Sequence, residues 1–247
     1  MSAPEVAPPA RLAPGAVHVW RVRLDDAEAA RTLRPLLSND ERARADRFYT
    51  EELRVRFTVA HGWKRRILAR YVDARPASLA FACAEHGKPS LVDADVHGVH
   101  FNLSHSADLA LVAVRRGGPV GVDVEYWRRE VEHLEIADRF FSPKECRALL
   151  ALAGDPRAVT AGFFAAWSRK EAYLKATGDG ISRGLQHFDV TLTPGEPAAL
   201  LADRLDPDAT RRWVLTSLDV APDYSAALVS ETPLSDVVLL DTESVHA

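Results

Sequence analysis

The stretch PVGVDVEYW, Pro119 to Trp127, decides how this chain is read. Apolar residues recur at every second position, Val120, Val122 and Val124, which is the period of a β-strand with one buried face. Asp123 and Glu125 then share the other face. Two carboxylates at adjacent same-face positions repel one another. At a surface, water tolerates that, so taken alone the pattern also describes a half-buried strand with its acids outward. In a cleft, the pair calls for a shared proton or a cation, and a hard divalent ion such as Mg²⁺ would relieve the repulsion.

Upstream, Gly117 and Gly118 punctuate the chain, and the pieces before them read as strands: VHVWRVRL at 17–24, SLAFACAEH at 78–86, VHFNLSHS at 99–106 and LALVAVRR at 109–116, the last two as a hairpin. Between the first and second strands, Ser38 and Glu41 make a capping-box pair, and helical periodicity runs from there to about Tyr71 with a break between Tyr49 and Leu53. Downstream, residues 130–153 read as helical with an interruption at Ser142–Pro143. A helix over 158–177 ends at Gly178, and FDVTL, RWVLTSLD and YSAALVS read as strands. Strand, helices, strands therefore occurs twice, in halves of about 100 residues that join near Gly117–Gly121. Runs of helices followed by runs of strands predict an α+β fold with antiparallel sheets. The expected division is a disordered leader over 1–15, an N-terminal half over 16–118, a C-terminal half over 119–232, and a tail of undefined order over 233–247.

At 247 residues the chain is long enough to bury a core, and 47% hydrophobic against 27% charged residues is the balance of a soluble globular protein. It holds no apolar run long enough to span a bilayer and no signal-peptide pattern at its start. Cys83 and Cys146 fit no metal or disulfide spacing, so they read as reduced thiols in a cytoplasmic protein. Residues 41–75 carry ten basic residues against five acidic, whereas 189–247 carry eleven acids against three arginines. A net charge of −4 with one local basic segment suits a compact polyphosphate ligand better than a nucleic acid. Scattered surface ion pairs would produce the same composition.

Two further stretches carry chemistry. FFAAWSRKEAYLKATGDG, 163–180, places Glu171 between Lys170 and Lys175, with Trp167 one turn earlier. Lysines can hold phosphate oxygens, and the carboxylate can join a metal shell or accept a proton; a surface Glu–Lys pair has the same spacing. In HGKPS, 86–90, and FNLSHS, 101–106, Gly87 permits close backbone approach, Pro89 stiffens the turn and Lys88 can reach an anion. Ser104 and His105 fall on opposite faces of a strand, which argues against a nucleophilic Ser–His pair and leaves His105 as a phosphate contact or a structural histidine.

Together, the H-G-K-P turn, N-L-S-H-S, G-V-D-V-E and W-S-x-K-E-A-x-x-K-A-x-G, in this order, resemble the 4′-phosphopantetheinyl transferases of the larger single-chain, surfactin-synthetase-activating type. The resemblance spans Ser38 to Leu192. It implies a pseudo-dimer of two similar α+β halves, each with an antiparallel sheet packed on helices and the active site in the cleft between them. It implies transfer of the phosphopantetheine arm of coenzyme A to a serine of an apo acyl or peptidyl carrier protein, with release of adenosine 3′,5′-bisphosphate. By resemblance, Asp123, Glu125 and Glu171 are Mg²⁺ ligands, with Mn²⁺ as a substitute. Glu171 is also the candidate base, Lys175 a pyrophosphate contact and Lys170 its assistant. Gly87, Lys88 and Pro89 match the turn lining the adenine, and Ser104 and His105 match 3′-phosphate contacts, joined there by Arg44 and Arg56. Glu41 departs from the family by standing where some relatives carry lysine, with Arg42 as a substitute. Glu145 has a supporting role. The carrier would dock near 127–150, with Phe140, Phe141 and Leu149 as apolar contacts, and the internal repeat implies a monomer that binds neither nucleic acid nor membrane. The competing readings are a Mg²⁺-dependent phosphohydrolase and a non-catalytic coenzyme A or carrier-binding protein.

Overall fold

The computed structural model describes residues 12–83, 87–128 and 132–242. It has the mixed α+β architecture expected from the sequence, in two compact units.

The first unit begins with β1 (Ala16–Arg23), α1 (Ala27–Leu33), α2 (Asn39–Asp46) and α3 (Glu51–Val72). It continues through β2 (Phe81–Cys83), β3 (Pro89–Leu91), α4 (Ala94–His97), β4 (Val99–Ser106) and β5 (Leu109–Arg116). Ser38 caps α2 through the predicted box: its hydroxyl accepts from Glu41 N at 3.1 Å, and Glu41 accepts from Ser38 N at 3.0 Å. α2 and α3 are separate helices because Thr50 starts a new cap, accepting from Leu53 N at 3.2 Å. α3 buries Trp63, Ile67 and Leu68 against Val22, Val112 and Val114 of the sheet.

The second unit holds β6 (Val120–Tyr126), α5 (His133–Phe140), α6 (Pro143–Leu150), α7 (Pro156–Thr177), β7 (Phe188–Val190), β8 (Leu200–Asp203), α8 (Ala209–Arg212), β9 (Trp213–Leu218) and β10 (Tyr224–Glu231). Its main sheet runs β6-β10-β9, antiparallel throughout, with Asp123 opposite Ala227 and Gly121 opposite Val229. Asp155 caps α7, Pro156 occupies its first turn, and Gly178, at φ 81°, ends it in the left-handed conformation that glycine adopts without strain. Phe163, Tyr173 and Leu174 of α7 are core residues; each such burial contributes about 1.5–3 kcal/mol.

Two expectations are corrected. SLAFACAEH forms a strand over Phe81–Cys83 only, with residues 84–86 outside the described set. The first unit's sheet is not wholly antiparallel. Its order is β11-β1-β5-β4, and β11 (Asp236–Asp241) runs parallel to β1, Val19 opposite Leu239. Hence part of the tail is a strand, anchored by Arg21 Nε donating to Asp241 at 2.6 Å. Of the expected leader, residues 1–11 lie outside the described residues, while Leu12 is buried in the core.

Gly121 decides how closely α7 can lie on β6. A Cβ there would stand 2.1 Å from Ala172 O and 2.4 Å from Ala176 N, both backbone atoms of α7. Only a residue without a side chain permits that approach. Gly121→Ala is therefore expected to destabilise the protein by about 1–3 kcal/mol in urea unfolding.

Candidate active site

The same close approach builds the site. Asp123 lies two residues beyond Gly121 on the face of β6 turned to α7, and it is 2% exposed. Lys175, on the last turn of α7, donates to Asp123 Oδ1 at 2.6 Å. Glu171 stands one turn earlier on α7. Burial raises its carboxyl above the usual range, Lys175 pulls it back, and the Asp123 charge adds to the rise. Asp123, Glu171 and Lys175 thus form one interacting set.

Glu125, half-buried, lines a neighbouring cleft of about 180 Å³ with Arg128, Ile136, Phe163, Phe164 and Trp167. Among the described residues, no three His, Cys or carboxylate side chains stand grouped as a ready metal cage. The expected trio of Asp123, Glu125 and Glu171 is therefore not preassembled, and Lys175 is the cation that Asp123 holds. The donor chemistry still fits a hard divalent ion: all three are carboxylates, and Asp123 and Glu171 repel one another in a desolvated place.

Lys170 corrects a sequence expectation. It is 0% exposed and points into the core rather than toward a ligand. Its ammonium meets Glu145 Oε2 at 2.8 Å, Leu185 O at 2.8 Å and Phe188 O at 2.6 Å. An ammonium has three protons to donate, so no proton remains for a pyrophosphate. Burial lowers the Lys170 pKa and Glu145 holds it up. Phe141 and Leu149 are likewise core residues, leaving Phe140, 43% exposed, as the one of the three expected docking contacts that reaches the surface.

The residues assigned to the adenosine end divide between the units. Gly87 and Lys88 belong to the second, and Arg44, Arg56, Pro89, Ser104 and His105 to the first. Ser104 is buried and His105 exposed, as alternation along β4 requires. Arg44 is exposed, its guanidinium 5.3 Å from the Phe57 ring centre. Arg56 pairs with Glu52 at 2.6 Å and with Asp108. Glu41 is an internal anion, bound by Lys64 at 2.9 Å, Arg65 and His61. Burial alone would raise its carboxyl, but the bonds from His61 and its neighbours hold it well below the usual range. Arg42, expected to substitute for a lysine there, instead donates to Leu37 O and Asn39 Oδ1 at the start of α2.

Gly121 was missed in the sequence as a site-forming residue. The available signal was a glycine inside a strand pattern, which marks close backbone approach.

Comparison with known proteins finds a family match within the second unit. The profile of the 4′-phosphopantetheinyl transferase superfamily matches residues 119–229, which contain β6 and α7. The chain is 45% identical over 186 residues to 4′-phosphopantetheinyl transferase HetI of Nostoc sp., covering 74% of this chain and 77% of that one. It is 34% identical to 4′-phosphopantetheinyl transferase psf-1 of Bacillus pumilus, covering 85% and 87%, and 30% identical to 4′-phosphopantetheinyl transferase Sfp of Bacillus subtilis, covering 80% and 83%. The chain belongs to the 4′-phosphopantetheinyl transferase superfamily. It is an enzyme, and its reaction is transfer of phosphopantetheine to a carrier protein, which decides against the hydrolase and the non-catalytic readings. Among the described residues, no helix is long and apolar enough to cross a membrane.

Lys88 gives a pH test of this geometry. Its ammonium donates to Val120 O at 3.2 Å and Ala176 O at 3.1 Å, tying the turn to β6 and α7, and burial lowers its pKa to about 8. Between that value and its unfolded value near 10.5, the unfolded chain binds the extra proton, so this group's contribution to stability rises with pH. The stability of the wild type relative to Lys88→Met is expected to increase from pH 8 to pH 10 in urea titrations.

Proposed function

We propose that the chain takes phosphopantetheine from coenzyme A and delivers it to the serine of an apo acyl or peptidyl carrier protein. The serine Oγ forms a bond to the β-phosphorus of the pyrophosphate. The bond from that phosphorus to the bridging oxygen breaks, and adenosine 3′,5′-bisphosphate leaves. The observation that carries this reading is the Asp123–Lys175 pair, with Glu171 one turn away on the same helix. It puts two acids and a lysine within one unit, on the strand and helix that the superfamily profile covers.

In this reading Glu171 accepts the serine proton, directly or through a water. Lys175, 29% exposed at its side chain, turns from Asp123 to the incoming pyrophosphate oxygens. Asp123, Glu125 and Glu171 would hold Mg²⁺, which neutralises pyrophosphate charge when bound. That task competes with the proton transfer assigned to Glu171, because a carboxylate that ligates a cation is a weaker base. Arg44, Arg56, Ser104 and His105 are assigned to the 3′-phosphate, and Gly87, Lys88 and Pro89 to the adenine. We further read the chain as a cytoplasmic monomer whose two α+β units are a pseudo-dimer.

Intact-mass measurement of an apo carrier incubated with the chain, coenzyme A and Mg²⁺ is expected to show the gain of one phosphopantetheine, lost on chelation with EDTA. Asp123→Ala is expected to lower kcat by about a hundredfold or more, because it removes a metal ligand and the partner of Lys175. Near-normal turnover of that variant in saturating Mg²⁺ would contradict the assignment. Arg56→Ala and His105→Ala are expected to raise KM for coenzyme A while leaving KM for dephospho-coenzyme A unchanged. Unchanged values for both substrates would remove the 3′-phosphate assignment.

A further inference from the structure

At Gly121, α7 meets β6 through its backbone at Ala172 and Ala176. That contact fixes how close α7 comes to β6 and supplies no directional bond of its own. On the side of α7 away from the site, directional bonds take over. Successive residues of a helix are about 100° apart, so Lys170 points away from Glu171, into the core. There, Glu145 gathers several segments. Its Oε2 accepts from Ser142 N at 2.9 Å, at the start of α6, and its Oε1 accepts from Val190 N at 2.8 Å, in β7. Its Oε2 also pairs with Lys170 at 2.8 Å, while the Lys170 ammonium donates to Leu185 O and Phe188 O. The ammonium also lies 4.4 Å from the Phe188 ring centre. One carboxylate and one ammonium, 2% and 0% exposed, therefore join α6, α7, β7 and the turn before β7.

Such a pair is a costly way to fill a core, since both charges must leave water; apolar side chains of equal volume would pack as well. What apolar packing would not supply is direction. Arg169 and Tyr173 add ties on neighbouring positions, to Ser217 Oγ at 3.0 Å and Asp203 Oδ2 at 2.7 Å. Lys170, however, is adjacent to Glu171 and wholly buried.

We propose that the buried Lys170–Glu145 pair is a positioning device that sets the rotation of α7 and so places Glu171 and Lys175 against Asp123. This rests on the roles given above to Glu171 and Lys175. Neither Lys170 nor Glu145 touches substrate in this proposal; both act through the helix.

The test compares the wild type with Glu145→Gln, Lys170→Met and the two combined, using coenzyme A, Mg²⁺ and an apo acyl carrier protein. Glutamine keeps the shape of the side chain and an acceptor for Val190 N. The combined variant also leaves no buried unpaired charge. We expect it to fold by circular dichroism, to lose about tenfold or more in kcat, and to keep KM for coenzyme A within about threefold, the split of a lost transition-state contact. In a Glu171→Gln background the same two changes should add little further loss, because residues acting as one unit are not additive. Unchanged kcat with a lower melting temperature would overturn the proposal and leave the pair purely structural. A raised KM at unchanged kcat, or full additivity with Glu171→Gln, would also overturn it. If the combined variant does not fold, Glu145→Gln alone is read by the same criteria. A wild type that fails to modify any carrier would instead strike at the reaction assignment itself.

Discussion

The contact between Gly121 and the backbone of α7 is the constraint on which the site depends. Strand and helix cannot come this close if any side chain intervenes. Once they do, Asp123 is carried under the helix and out of solvent, where its charge is felt by Glu171 and held by Lys175. In water, an ion pair of this kind has little effect; in a desolvated place both the attraction to Lys175 and the repulsion from Glu171 are much stronger. The site's electrostatics are thus a consequence of one missing Cβ.

The second unit keeps two lysines of one helix in opposite conditions. Lys175 remains partly exposed and has Asp123 as a carboxylate partner. Lys170 is enclosed, with every proton committed. The first is a charge near the surface, the second a charge held in the core. Both charges sit on one helix, so the packing that holds Lys170 in the core also fixes where the Lys175 backbone stands beside Asp123.

Much of the architecture was legible in local patterns. The Ser38–Glu41 box, the strand period of 120–126 and the glycine after Thr177 each reflect a backbone requirement satisfied within a few residues. Long-range pairing was less legible. The tail strand Asp236–Asp241 adds to β1 across most of the chain's length, and its parallel direction cannot be read from alternation, which is the same for either orientation. Residues of the basic segment were legible as charges but not as partners: Glu41 is the anion that Lys64 and Arg65 bind.

The sequence alone determined the chemistry that the chain carries: carboxylates two apart on a strand, a Glu and lysines on a helix, and the motif order that marks the transferase family. Tertiary structure decided which lysine stands beside Asp123. α7 is apolar on much of its circumference, so its periodicity does not say which face is turned inward. Only packing against β6 on one side and Glu145 on the other sends Lys175 to Asp123 and Lys170 to the core. The physical reason is the 100° step of the helix: side chains adjacent in sequence point apart, and what each one meets is set by the elements packed around them.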